Sequence, residues 1–199
     1  MSLVIVDTGV ANLASVQFAF ERLGATPIIS DNADVISSAE RVLIPGVGAA
    51  PFAMRKINKK GLTSVLKKLT QPVMGICLGM QLIFENLEEG GKPIDGLGLV
   101  PGTVRELDTK RLPSPHMGWN TLTPLKDDPI LAGIKANDYA YFVHGFAANV
   151  SEVTLASSFY GSEFSAIVRY KNIYGCQFHP ERSSRVGAKI LENFLKVPA

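Results

Sequence analysis

From Leu3 to Glu85 the chain alternates short apolar runs with helix-like stripes, and this alternation narrows its fold more than any other feature. The opening run, LVIVD, is continuously apolar and ends in the carboxylate of Asp7, the pattern of a strand buried on both faces. Leu13, Val16, Phe20 and Leu23 then recur every three or four residues, one face of a helix, with Gly24 placed to stop it. TPIIS reads as a second strand and RVLIPG as a third. APFAMRKINKKG and LTSVLKKL read as helices, the former with Pro51 in its first turn. PVMGI is a fourth strand, followed by a helix expected from about Leu78 to Glu85. Repeated strand–helix–strand units predict an α/β domain on a parallel sheet. Ligands of such sheets bind beyond the carboxyl ends of the strands, where Asp7, Pro45-Gly46 and Cys77 all fall.

The second half changes character. EGGKPIDGLGLVPG, residues 89–102, reads as a glycine-rich loop. TVREL, YAYFVHGF, VTLASSFY, FSAIVRY and NIYGCQF are short strand-like runs divided by turn residues, expected to form hairpins that extend the parallel sheet into a mixed one. Val186, Ile190, Leu191, Phe194 and Leu195 mark one face of a closing helix. With no repeat and no dividing linker, residues 1–199 are expected to form a single domain.

Composition bounds the partners. The chain has 20 basic and 18 acidic residues, a net charge of +2, and no cluster of Lys and Arg, so no nucleic-acid footprint is expected. KINKKG and the LKK that follows read as a solvated helix face. MSLVIVDTG lacks a basic n-region and a cleavage-like site, and no apolar run reaches bilayer-spanning length. The two cysteines do not suggest a disulfide framework. A soluble cytoplasmic protein without membrane partners is expected. Neither CxxC nor HxxxH occurs, so no metal or other cofactor is expected.

GICLG, between a strand and a helix, has the layout of the G-x-S-x-G nucleophile elbow with sulfur in place of oxygen. A strand that turns abruptly into a helix holds its turn residue in a strained backbone conformation and crowds the positions two before and two after. Gly75 and Gly79 relieve that crowding, leaving Cys77 clear above the sheet at a helix N-terminus, where positive potential favours thiolate. The Leu78 N–H is positioned to help hold an oxyanion. A thiolate nucleophile needs a base and the base an orienting acceptor. FHPE supplies both: His179 and Glu181 lie two apart around Pro180, on one side of an extended segment. Cys176, inside IYGCQF, reads as core. His144, at the end of an apolar strand, reads as a satisfied structural histidine, and His116 as part of an irregular loop with no nearby acid.

GICLGMQ together with QFHPE resembles the class I (triad) glutamine amidotransferases. VDTGVANLASV, IPGVGA, PHMGWN and YFVHGF resemble, within that family, the glutaminase subunits of imidazole glycerol phosphate synthases, and the likeness runs over nearly the whole chain. The resemblance implies a flavodoxin-like, three-layer α/β domain of the type-1 glutamine amidotransferase kind. It implies that Cys77 attacks the glutamine side-chain amide, that His179 moves the proton, and that Glu181 holds the imidazole. A second oxyanion donor is expected from PGVG, near Gly46, Val47 or Gly48, beside Leu78. Gln81, Glu89 and main-chain groups of Gly145 and Phe146 are expected to contact glutamine, although Glu89 also reads as a solvated loop acid. HGF departs from the family, in which a hydroxyl residue and a tyrosine often follow the histidine, so only a backbone role is carried over there.

The implied partner is a (β/α)8-barrel cyclase, in a heterodimer that channels ammonia into imidazole glycerol phosphate and AICAR for histidine biosynthesis. Asn12, Met117, Trp119 and Arg182 match family positions at that contact, while Asn12 also reads as an N-cap and Trp119 as core. On this reading the glutaminase is silent, or nearly so, until the cyclase and its ligand rearrange the oxyanion strand. The alternatives are another triad glutaminase, of pyridoxal phosphate synthesis or a γ-glutamyl hydrolase, or a non-catalytic thiol-bearing binding module. PGVG in place of a PGGES-like segment, with PHMGWN, separates the chain from the first two, and an intact triad from the third.

Overall fold

The computed structural model describes residues 2–198, so Met1 and Ala199, the ends of the expected domain, lie outside the described residues. The first half follows the expected alternation: β1 (Leu3–Val6), α1 (Leu13–Glu21), β2 (Ile28–Ser30), α2 (Ala33–Ser38), β3 (Arg41–Gly46), α3 (Ala50–Lys59), α4 (Leu62–Leu66) and β4 (Val73–Cys77). Apolar spacing does not announce α2, which buries Ile36 and little else. Asn32 starts it, its side-chain oxygen accepting from the N–H groups of Asp34 at 2.9 Å and Val35 at 3.2 Å.

The second half contributes α5 (Leu78–Leu82), β5 (Phe84–Leu87), β6 (Ile94–Asp95), β7 (Val100–Glu106), β8 (His116–Thr121), β9 (Thr123–Pro124), β10 (Tyr139–His144), β11 (Phe146–Ala148), β12 (Thr154–Tyr160), β13 (Ser162–Tyr170), β14 (Ile173–Cys176) and α6 (Ser184–Lys196). The central sheet has the order β2-β1-β3-β4-β14-β13-β12-β9. Its first five strands are parallel, the flavodoxin-like order, and β13, β12 and β9 add antiparallel pairings that make it mixed.

Both faces of the parallel part are covered, giving three layers. Leu3 and Ile5 of β1 pack toward Phe20 of α1 and Ile190 and Phe194 of α6. Their neighbours Val4 and Val6 point to the opposite face, toward Ile36, Ile57, Leu62 and Leu66 of α2, α3 and α4. This two-sided burial is why the strands read as unbroken apolar runs rather than alternating ones.

Four sequence expectations are corrected. TVREL and YAYFVHGF do not extend the central sheet, because β7 and β11 belong to one separate sheet and β10 pairs with β8 in another. The helix after Cys77 ends at Leu82, short of Glu85, because the Ile83 carbonyl accepts from the N–H groups of Leu99 (2.8 Å) and Val100 (3.0 Å) and Phe84 enters β5. The glycine-rich segment 89–102 holds β6 and the start of β7, and with β5 and β11 these form a separate sheet in the order β11-β7-β5-β6. PHMGWN is not irregular: it forms β8, paired antiparallel with β10 so that His116 lies opposite His144. All four depend on partners distant in sequence, which local patterning does not encode. Among the described residues, no helix is long and apolar enough to cross a membrane.

Candidate active site

β4 is buried along its whole length and ends at Cys77, whose φ of 53° and ψ of −112° put a non-glycine residue in a strained region. The flanking glycines are explained by distances. A Cβ on Gly79 would stand 1.7 Å from the Ile44 carbonyl oxygen of β3, and one on Gly75 would stand 2.6 Å from the Gly79 carbonyl. Gly79→Ala is therefore expected to destabilise the fold by about 3 kcal/mol or more, since neither backbone can yield without breaking the elbow. A lowered urea midpoint checks this, and a midpoint equal to that of the wild type refutes it.

β14 lies beside β4 in parallel register, so the chain leaving β14 emerges at the same sheet edge as Cys77. That placement brings His179 to the thiol from a hundred positions away. The His179 N–H donates to the Tyr141 carbonyl at 2.9 Å, and the Ser183 hydroxyl donates to the His179 carbonyl at 2.7 Å while accepting from the Tyr141 N–H at 2.9 Å. The segment is thus fixed to β10 at both ends. Imidazole Nδ1 donates to Glu181 Oε1 at 2.8 Å, leaving Nε2 for the sulfur, and both side chains are largely buried. Burial opposes a charge on this ring, but hydrogen bonds to Cys77 and Glu181, with the negative charge of those partners, outweigh it and raise the imidazole pKa to about 10. A cation therefore faces the sulfur at neutral pH. α5 is barely more than one turn, so His179 supplies positive potential that a short helix supplies only weakly. Cys176 is fully buried on β14, where burial raises its thiol well above the ordinary value.

A cavity of about 320 Å³ opens over Cys77, at the small end of ligand pockets, which run roughly from 300 to 1,000 Å³. Val47, Gly48, Leu78, Gln81, Glu89, Gly145, Phe146 and His179 all line it. Gly46 instead lies behind, at a minute cavity shared with Asn12 and Glu181. Val47 and Glu89 are among the expected contacts that are already engaged. The Val47 N–H donates to the Val10 carbonyl at 2.8 Å, so in this conformation it is not an oxyanion donor. Glu89 Oε2 accepts from the Ala50 N–H at 2.6 Å, capping the start of α3 at the pocket rim. Sequence reasoning missed Gln177, whose amide reaches toward the sulfur (4.0 Å) and accepts from Gln81 at 3.1 Å. It also missed Pro115 and Val143, the Val143 carbonyl lying 3.7 Å from the sulfur. Their only local signal is position: Pro115 and Val143 open PHMGW and VHGF, and Gln177 directly precedes FHPE.

Asn12, Met117, Trp119 and Arg182 are all exposed. Trp119 is 52% exposed and Met117 63%, which rules out the core reading of Trp119. Trp119 is the register partner of Tyr141 and meets its ring edge-on. Asn12 caps α1 through a long, 3.4 Å contact to the Ser15 N–H. Among the described residues, no group of three or more His, Cys, Asp or Glu side chains is placed to hold a metal ion.

Residues 4–197 match the family described as glutamine amidotransferase class-I. This chain belongs to that family. It is 50% identical over 197 residues to imidazole glycerol phosphate synthase subunit HisH of Idiomarina loihiensis, covering 99% of this chain and 98% of that one. It is 51% identical to the protein of the same name in Colwellia psychrerythraea, covering 98% and 92%. Solved structures agree on the fold of this amidotransferase. A putative GMP synthase component from Thermoplasma acidophilum superposes with a TM-score of 0.77 at 18% identity, covering 98% of this chain and 92% of that one. PurLQS from Thermotoga maritima superposes with a TM-score of 0.73 at 20% identity, covering 98% and 97%.

Proposed function

We infer that this chain is the glutamine-hydrolysing subunit of an imidazole glycerol phosphate synthase, acting in histidine biosynthesis, with residues 1–199 as one amidotransferase domain. The reading rests above all on the Cys77–His179–Glu181 constellation at a strained strand-to-helix turn.

The chemistry follows from where the proton sits. Cys77 Sγ, its proton passed to His179 Nε2, attacks the side-chain amide carbon of glutamine, and the carbonyl electron pair moves onto oxygen as a tetrahedral oxyanion forms. Charged His179 gives its Nε2 proton to the amide nitrogen, the C–N bond breaks, and ammonia leaves behind a γ-glutamyl thioester. Neutral His179 then takes a proton from water, the hydroxide adds to the thioester carbon, and the C–S bond breaks to release glutamate and restore the thiolate–imidazolium pair. Glu181, bonded to Nδ1, keeps Nε2 toward the sulfur throughout and stabilises the ring each time it is charged. Leu78 contributes its N–H to the oxyanion. The second donor is Val47, once its peptide leaves Val10. Gln81, Glu89, Gly145 and Phe146 surround the amino-acid end of the substrate.

Ammonia in water near neutral pH is mostly protonated and not nucleophilic, which favours direct delivery to a second subunit. We assign that partner as a (β/α)8-barrel cyclase in a heterodimer. The exposed set Asn12, Met117, Trp119 and Arg182 is its contact: Asn12 shares the small cavity behind the triad with Glu181, and Arg182 and Trp119 adjoin Glu181 and Tyr141. A cytoplasmic location suits such a biosynthetic enzyme.

Alkylation of Cys77 tests the site directly. Glutamine is expected to slow thiol labelling of the complex in a saturable way, because substrate covers the sulfur. Equal rates with and without glutamine would support the thiol-bearing binding module instead.

A further inference from the structure

His116 and His144 take no part in the chemistry above, yet they form a fully connected chain of hydrogen bonds ending at the pocket wall. His144 Nδ1 lies 2.9 Å from the Phe146 carbonyl oxygen. A carbonyl only accepts, so Nδ1 carries the proton and, in a neutral ring, Nε2 is the acceptor. His116 Nδ1 lies 2.9 Å from that Nε2 and must therefore be the donor. His116 Nε2 is then left as an acceptor, and the Asn120 amide meets it at 3.3 Å while also donating to the Phe159 carbonyl at 2.9 Å. One proton arrangement satisfies every link: both rings neutral and both in the Nδ1–H tautomer. Burial, the leading cause at each ring, agrees, lowering the pKa of His116 to about 4 and that of His144 to about 3.

The far end of the chain is a pocket group. The Phe146 carbonyl also accepts from Gln81 Nε2 at 2.9 Å, and Gln81 in turn bonds Gln177 beside the sulfur. The preceding Gly145 carbonyl is engaged by the Leu107 N–H at 2.8 Å. The turn between β10 and β11 is thus oriented by donors on each side. His116 itself is clamped in place, its ring stacked on Tyr160 at 4.1 Å and on Phe142 at 5.0 Å.

We propose that His116 is a positioning residue for glutamine binding, acting through His144 to hold the Phe146 carbonyl, and with it Gln81, at the wall of the pocket. The proposal rests on the glutaminase reading. Without the His116 donor, His144 Nε2 becomes a buried acceptor left unsatisfied, and the ring that donates from Nδ1 to the carbonyl is no longer held from both sides.

Two substitutions separate the hydrogen bond from packing. His116→Phe keeps a stacking ring and removes the donor, while His116→Asn restores an amide N–H near the place of Nδ1. Measured on the complex with the cyclase, His116→Phe is expected to raise the KM for glutamine about tenfold with kcat changed far less, and His116→Asn to recover most of the loss. Nitrogen NMR of the wild-type protein labelled in histidine is expected to show two rings in the Nδ1–H tautomer. An Nε2–H tautomer on either ring would overturn the relay, even were His116→Phe to fail to fold. So would an unchanged KM in His116→Phe, or a His116→Asn variant as impaired as the phenylalanine one. A wild-type complex that releases no glutamate while its rings show the Nδ1–H tautomers would instead refute the glutaminase reading.

Discussion

Cys77→Ala is expected to reduce glutamine-driven turnover of the complex by about 10⁴-fold or more while ammonia-driven synthesis persists. The substitution removes the sulfur and nothing else that the elbow requires. Alanine keeps the Cβ that cysteine already carries at φ 53°, so it adds no backbone strain, and Gly75 and Gly79 still accommodate the tight approach of α5 to β3. Glutamine should still enter, since the pocket wall is made mostly by other residues. What disappears is the nucleophile positioned over the site: Cys176, the other thiol, is fully buried with its titration raised by burial. Paired assays of glutamate release and of product formation with ammonium salts distinguish a lost nucleophile from a lost complex. Glutamine-driven turnover near the wild-type rate would show that Cys77 is not the nucleophile.

Glutamate release by the isolated chain is expected to rise by about 10²–10³-fold when the cyclase and its nucleotide ligand are added. The size of the effect follows from one hydrogen bond. An oxyanion developing at the thioester-forming step needs two donors, and here the Val47 N–H is committed to the Val10 carbonyl at 2.8 Å. Loss of one oxyanion donor typically costs about 10²–10³ in kcat, so freeing the Val47 peptide should return that factor. Val10 stands in the loop after β1, two residues before Asn12, so a partner seated on Asn12 bears on the segment that holds the Val47 peptide back. A glutaminase fully active on its own, with no further gain on adding the cyclase and ligand, would show that this hydrogen bond does not limit turnover.

Legibility differs sharply between the two halves of the chain. β1, β3 and β4 are readable because burial on both faces leaves uninterrupted apolar runs, and α6 because its apolar stripe faces the sheet. α2 is not, since a polar cap rather than a stripe nucleates it. β8 is hidden because its inward positions carry His116 and Asn120 and its outward ones Met117 and Trp119, the reverse of an ordinary hydrophobic alternation. Polar side chains there are satisfied by one another, which no single-strand pattern reveals. For the same reason His116 reads as a loop residue, although its ring is buried and bonded to His144.

The order of residues by itself determined the elbow, the two glycines around it, and the imidazole–carboxylate pair, because each arises from neighbours a few positions apart whose geometry is local. Only the tertiary structure decided that β14 lies beside β4 and so carries His179 to Cys77, that the Val47 N–H is turned to Val10, and that two buried histidines share a proton arrangement ending at Phe146. Those facts depend on hydrogen bonds between segments distant along the chain. Such pairings form only when the whole core closes, and no short stretch of sequence carries them.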